Sequence, residues 1–176
     1  FVFLDETVLT IGPESRLILD EMVFNHNATK GKVVMTAVKG LFTFVSGSLP
    51  SKSYQMRTPT ATIGVRGTKF DLFVARNGTS TVILRSGAIS VKNLKGVTRR
   101  ITTVGLATSI ITKSTEPTPP APVGPQLEQL FKPLENLGEL QGKNPQQVNA
   151  KRESVEKESN RKKQIELRRE KIEDLK

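Results

Sequence analysis

The residues able to do chemistry are few, and their types exclude more than they offer. The 176-residue chain has no Cys and no Trp, and its one histidine is His26. Without Cys there is no thiolate nucleophile, no CxxC redox pair and no Cys-ligated zinc. A His-dependent triad or a His-bearing metal site would have to use His26, which stands between Asn25 and Asn27 in a turn-like stretch. The carboxylates of residues 1–114 are Asp5, Glu6, Glu14, Asp20, Glu21 and Asp71, and the Asp5-Glu6 and Asp20-Glu21 pairs read as turn or strand-end charges. Neither GxxxxGK[ST] nor GxGxxG occurs. Gly64-Val65-Arg66-Gly67-Thr68 lacks both the lysine and the following helix that a phosphate loop needs. The chain is expected to be no enzyme and to hold no cofactor or metal.

What the side chains do offer is positive charge. Residues 1–114 carry 15 Lys and Arg against 6 Asp and Glu, whereas residues 115–176 carry 12 against 11. The first segment should therefore attract anionic partners, an attraction that salt weakens. Nucleic acid is the obvious candidate, but Tyr54 is the one Tyr and most Phe fall on alternating, core-like positions, leaving little to stack on bases. No helix-turn-helix or RRM-type signature appears, so no specific nucleic acid is expected. No apolar run reaches the ~18 residues a membrane-spanning helix requires, and no transmembrane segment is expected in this sequence.

Residues 1–114, which carry these side chains, read as strands almost throughout. Thr7–Ile11 is stopped by Gly12-Pro13; Arg16–Phe24, Lys32–Val38 and Leu41–Val45 follow, the last two punctuated by Gly40 and Gly47. Gly78, Gly87, Gly96 and Gly105 recur at a spacing of nine, with β-rich segments between them. One Gly per strand and turn fits a meander; a β-solenoid is the alternative. The expected fold is mainly β, an antiparallel sandwich or meander, with a helical or disordered C-terminal tail.

Residues 115–125 contain five prolines and read as a spacer in polyproline II. Over residues 126–140, Leu127, Leu130, Phe131, Leu134 and Leu137 form one apolar stripe at helical spacing, with Pro133 expected to kink or split the helix. Such a stripe needs cover, and the stiff spacer favours a partner over folding back onto the β-domain. Residues 141–176 are a charged tail. Pairs such as Glu153–Lys157 support a solvated helix there, and the 10 basic and 7 acidic side chains of residues 151–176 are too mixed for a nucleic-acid arm.

The most informative stretch is Arg57 to Leu72. Pro59 favours an extended Thr58, Ala61 to Val65 can form a strand, and Gly67 permits a corner that a side chain is expected not to fit. The run Thr58-Pro59-Thr60-Ala61-Thr62-Ile63-Gly64-Val65-Arg66-Gly67-Thr68-Lys69-Phe70 resembles the hallmark of the FecR domain family, TPxATIGxRGTxF. Thr7 to Leu17 resembles the family's TVLTLGPNSRL, and Lys39 to Gly47 its KGxFRFVSG. The likeness continues to about Ser114 and covers nothing beyond the prolines. It marks Thr58, Pro59, Ala61, Thr62, Ile63, Gly64, Arg66, Gly67, Thr68 and Phe70 as structural or interaction residues.

The resemblance implies a periplasmic or otherwise extracytoplasmic β-domain without catalytic activity. It also implies that the family domain begins upstream of Thr7. The apolar start Phe1-Val2-Phe3-Leu4 is then expected to leave an edge over residues 1–11 open to self-association. The expected role is a protein-binding or scaffolding module of the bacterial envelope. One alternative is part of a FecR-type regulator that relays a signal from an outer-membrane transporter to a sigma factor. The other is binding of an anionic polymer through the basic β-domain.

Overall fold

Three long strands organise the molecule: β3 (Gly31–Val45), β5 (Ala61–Val74) and β6 (Ser80–Asn93). In the computed structural model they join β1 (Val8–Ile11), β2 (Arg16–Phe24), β4 (Tyr54–Arg57), β7 (Thr98–Ile101), β8 (Leu106–Ile110) and β9 (Ala121–Pro122) in one nine-stranded sheet. A helix, α1 (Pro125–Gln141), follows. The structure describes the backbone of residues 1–25 and 30–141, and the side chains of these except Arg66 and residues 136–141. His26, the side chain of Leu137 and the charged tail from residue 142 lie outside the described residues.

Each long strand has different neighbours along its two halves. Residues 42–45 of β3 pair with β1 and residues 40–45 with residues 69–74 of β5, whereas residues 31–39 pair with β2 and residues 33–36 with β4. Likewise residues 80–83 of β6 pair with β8, and residues 89–92 with β7. The sheet therefore has a first wall (β1, β8, β9 and one half of each long strand) and a second wall (β2, β4, β7 and the other halves). The walls are rolled toward each other as an open, flattened barrel. All pairings are antiparallel except β3–β4, so the solenoid alternative, which needs parallel rungs, is set aside.

Glycines mark the crease between the walls. The sequence suggested two strands broken at Gly40 and a corner between strands at Gly67; instead β3 and β5 run through both, bending without breaking. Gly67 (φ 56°) sits in a bulge where the β5–β6 register shifts between Arg66 and Phe70. Gly87 faces it with φ 76°, and a Cβ there would lie 2.0 Å from the Gly67 carbonyl oxygen. Of the glycines spaced by nine, Gly78, Gly96 and Gly105 form turns, while Gly87 lies inside β6, in the crease. At Gly67 a side chain has open space around it, contrary to expectation, and only its positive φ resists substitution.

Between the walls lies the core. Phe42, Phe44, Phe70, Leu72 and Val82 of the first wall and Val33, Met35, Met56, Ile63 and Val91 of the second form one buried cluster. The Phe44 ring meets Phe70 at 5.3 Å and Tyr54, from the opposite wall, edge-on at 5.8 Å. Burying each large side chain contributes about 1.5–3 kcal/mol. Two polar clusters fasten the rolled sheet. Asp5, only 1 % exposed, accepts hydrogen bonds from Thr7 Oγ1 (2.7 Å) and Tyr54 Oη (2.6 Å), and Tyr54 Oη accepts one from the Leu49 N–H (3.0 Å). Burial, then the Asp5 carboxylate, pushes the Tyr54 phenol pKa up. Opposite the crease, the Thr60 hydroxyl donates to Ser80 and Ser80 to Thr58, each at 2.8 Å. This relay joins the start of β5 to the start of β6, ends that only a fold at the crease brings together.

The proline stretch is not a free spacer. Thr118 N–H donates to the Ser109 carbonyl (3.0 Å), Ala121 and Pro122 pair with β8, Asn93 Nδ2 donates to Thr115 O (3.0 Å) and Arg99 Nε to Pro117 O (2.8 Å). Prolines lack donors, so they are tolerated at an edge strand, and here they close one seam of the barrel. The other edge departs from expectation only in part: Phe1, Val2 and Leu4 are exposed as an apolar edge requires, but β1 itself is covered. Residues 1–3 fold back on β1, with Phe1 and Leu9 exchanging backbone hydrogen bonds (2.8 and 2.9 Å), so the start of β1 is covered on both sides by its own chain.

Candidate functional site

The outer faces of the two walls differ, and the difference locates the candidate site. On the first wall, α1 lies across Leu41, Phe73, Ile83 and Ala107. Phe131 and Leu134 are buried there, and Leu127 packs against the same cluster. The stripe expected to seek a partner is thus largely covered by the chain's own sheet; Leu130 alone of the described stripe is exposed, at 47 %. The physical reason is the proline stretch, which is bonded along the sheet and delivers the helix onto it. Pro125 opens α1 as a preset first residue, and the helix continues through Pro133 rather than splitting, anchored on either side by Phe131 and Leu134.

Charge pins the same contact. Asp71 is 1 % exposed and accepts from Thr43 Oγ1 and from Arg85 Nε, both at 2.6 Å. Arg85 reaches onward to Glu128, in the first turn of α1, with two N–H donors at 2.8 and 2.5 Å. Such bidentate, charge-assisted pairs are among the stronger hydrogen bonds. The Glu128 contact raises the guanidinium pKa still further and holds the Glu128 carboxyl below its ordinary range. Sequence reading missed Arg85, Glu128 and Ser80. One signal was present: Val82-Ile83-Leu84 is apolar on both faces, which marks a strand covered on both sides.

Among the described residues, no helix covers the second wall. A shallow cleft of about 560 Å³ lies on it, lined by Lys32, Lys52 and Arg100, by the polar side chains of Gln55, Thr62 and Ser90, and by Gly64 and Ala88 at its floor. No carboxylate is among the described residues that line it. Register places Arg57 beside Thr62 and Thr62 beside Lys92, and places Gln55, Gly64, Ser90 and Arg100 in the next row. Lys32 is paired to Glu21 (2.7 Å), which with Asp20 bounds the patch on β2. Among the described residues, Lys52, Arg57, Lys92 and Arg100 make no ion pair. Among the described residues no group of His, Cys, Asp and Glu could hold a metal ion, and no helix is long and apolar enough to cross a membrane.

The hallmark residues serve the fold. Ala61, Ile63 and Phe70 point into the core, Thr58 belongs to the hydroxyl relay, and Pro59 leads the turn beneath Gly78. Thr68 bonds across the crease, donating to Ala88 O (2.7 Å) and taking the Ala88 N–H (3.3 Å). Of the hallmark residues whose side chains are described, Thr62 and Gly64 line the cleft.

A sequence profile described as FecR protein matches residues 1–90. The chain belongs to the FecR family. No match is found among curated protein sequences. Two crystal structures of a candidate anti-sigma factor from Parabacteroides distasonis ATCC 8503, at 2.50 and 1.65 Å, share the fold. Their TM-scores are 0.52 and 0.51, at 15 % and 16 % identity over 74 % and 73 % of this chain. The chain spans 58 % and 57 % of the length of those proteins.

Proposed function

We propose that this FecR-family β-domain is the non-catalytic, protein-binding part of a sigma-factor regulator of the bacterial envelope, sited outside the cytoplasm. Family membership over residues 1–90 carries the reading, and the anti-sigma designation of the Parabacteroides proteins, which share its architecture, favours it over a free-standing scaffold. A regulator of this kind works by contact: it receives a partner on the β-domain and passes on the bound state. The rigid rolled sheet, fastened by two polar clusters and with one wall left bare, suits a receiving surface.

The test is genetic. Deleting the chromosomal segment that codes for residues 1–135 should change the transcripts of a discrete gene set sharing one promoter type. Protease added to spheroplasts should digest the domain in intact protein. An unaltered transcript profile would reject the regulatory role, and protection from protease would reject the extracytoplasmic site.

A further inference from the structure

The first wall shows how this fold covers an outer face that carries a cation. An element with a carboxylate, Glu128 of α1, grips Arg85 and lays its apolar side chains alongside. The second wall presents Arg57, Lys92 and Arg100 around Thr62, Gly64 and Ser90, with Lys52 of the short turn Ser51–Ser53 beside the cleft, and no strand or helix of the described chain lies upon them. Arg57 and Lys92 flank Thr62 on its two neighbouring strands, and so stand about 10 Å apart at ordinary strand spacing. None of these cations makes an ion pair among the described residues, and exposed charges of this kind add little to stability, so the sheet does not need them.

We propose that the bare face of the second wall binds an acidic peptide segment of a protein partner. Gly64 and Ala88, with no or small side chains, let a backbone approach beside the Thr62 and Ser90 hydroxyls, Val34, Val65 and Ile89 give it apolar contact, and the surrounding cations meet carboxylates. Its one aromatic neighbour, Tyr54, is buried at 3 % exposure, so neither a nucleobase nor a sugar ring finds a stacking surface. Asp20 and Glu21 on β2 set a boundary that would turn an acidic segment along β4 to β7 rather than across the sheet edge. This deepens the regulator reading, on which the occupant's being part of a signalling protein rests.

The full chain, labelled with nitrogen-15, is titrated with an oligo-glutamate peptide, a single-stranded DNA oligonucleotide and phosphatidylglycerol vesicles. The peptide should shift the amide signals of Thr62, Gly64 and Ser90. The combined variant Arg57→Ser, Lys92→Ser, Arg100→Ser should weaken its binding about tenfold. A charge-matched variant, Lys39→Ser, Arg76→Ser, Lys113→Ser, should bind as the original does. Equal weakening in both variants would reduce the effect to net charge and overturn the proposal, as would displacement of the peptide from those amides by DNA or by vesicles. If the face variant binds the peptide undiminished while deletion of residues 1–135 still alters transcription, the face is wrong and the regulator stands. If peptide binding follows the face while deletion alters nothing, the reverse holds.

Discussion

The two walls are built from halves of the same three strands, yet their outer faces have opposite fates. On the first, Arg85 is held between Asp71 and Glu128 beneath a helix; on the second, Arg57, Lys92 and Arg100 stand in solvent. Both mix threonines, serines and cations, but the first also carries Leu41, Phe73, Ile83 and Ala107, which a later segment returns to cover. A cation under a helix becomes structural, because removing it leaves a buried carboxylate unmatched. A cation on a bare face contributes little to stability and is available to a partner.

The comparison is sharpened first where the covered face is driest. Phe131→Ala should lower stability by about 4 kcal/mol, since a fully buried ring leaves a cavity between α1 and the sheet. Denaturant unfolding with tryptophan-free detection, such as far-UV circular dichroism, measures it, and an unchanged midpoint would mean that the helix is not docked. Arg85→Ala should cost about 3 kcal/mol by stranding the Asp71 carboxylate. Adding Asp71→Asn should recover a substantial part of that loss; no recovery would show that the arginine acts by packing alone.

The crease offers an internal comparison of its own. Gly87→Ala should destabilise by about 2–3 kcal/mol, combining a positive φ with a collision against the Gly67 carbonyl, whereas Gly67→Ala should cost about 1 kcal/mol from φ alone. Equal melting temperatures for the two variants would contradict the packing of the crease.

Glu128 connects the covered face to pH. Its folded-state pKa lies below its ordinary value of 4.5, so the stabilisation it adds is present above that value and is lost as pH falls through the folded pKa. Glu128→Gln should therefore lower the melting point slightly at neutral pH, by the equivalent of less than about 1 kcal/mol, and should match the original chain at low pH. A difference that grows on acidification would reverse the sign and refute the pairing. Smallest of all, the combined serine variant of Arg57, Lys92 and Arg100 should stay within about 0.5 kcal/mol of the original, as uncovered surface positions do. A larger loss would make the second wall's cations structural too.

Much of this was legible without coordinates. Period-two alternation placed Phe42 and Phe44 on one face, Gly-rich turn signals marked the hairpins at Gly78 and Gly96, and the run from Thr58 to Phe70 was recognisable as a strand-forming family hallmark. These are local facts, and backbone sterics with side-chain alternation set them residue by residue. The polar clusters were not legible: Thr58 and Ser80 are 22 positions apart, Asp5 and Tyr54 are 49, and Arg85 and Glu128 are 43. No periodicity encodes a pairing across such separations.

The sequence by itself determined that the chain is mainly β, poor in catalytic groups and strongly basic in its first segment. Only the tertiary structure decided where that charge acts. The prolines of residues 115–125 looked like a spacer because they cannot enter a helix or a central strand, yet an edge strand needs few donors and accepts them. Seated along that edge, they carry α1 onto the first wall, while no described element covers the basic face of the other. Local propensity sets which elements form; which faces they bury depends on the apolar area and buried charge that each docking satisfies.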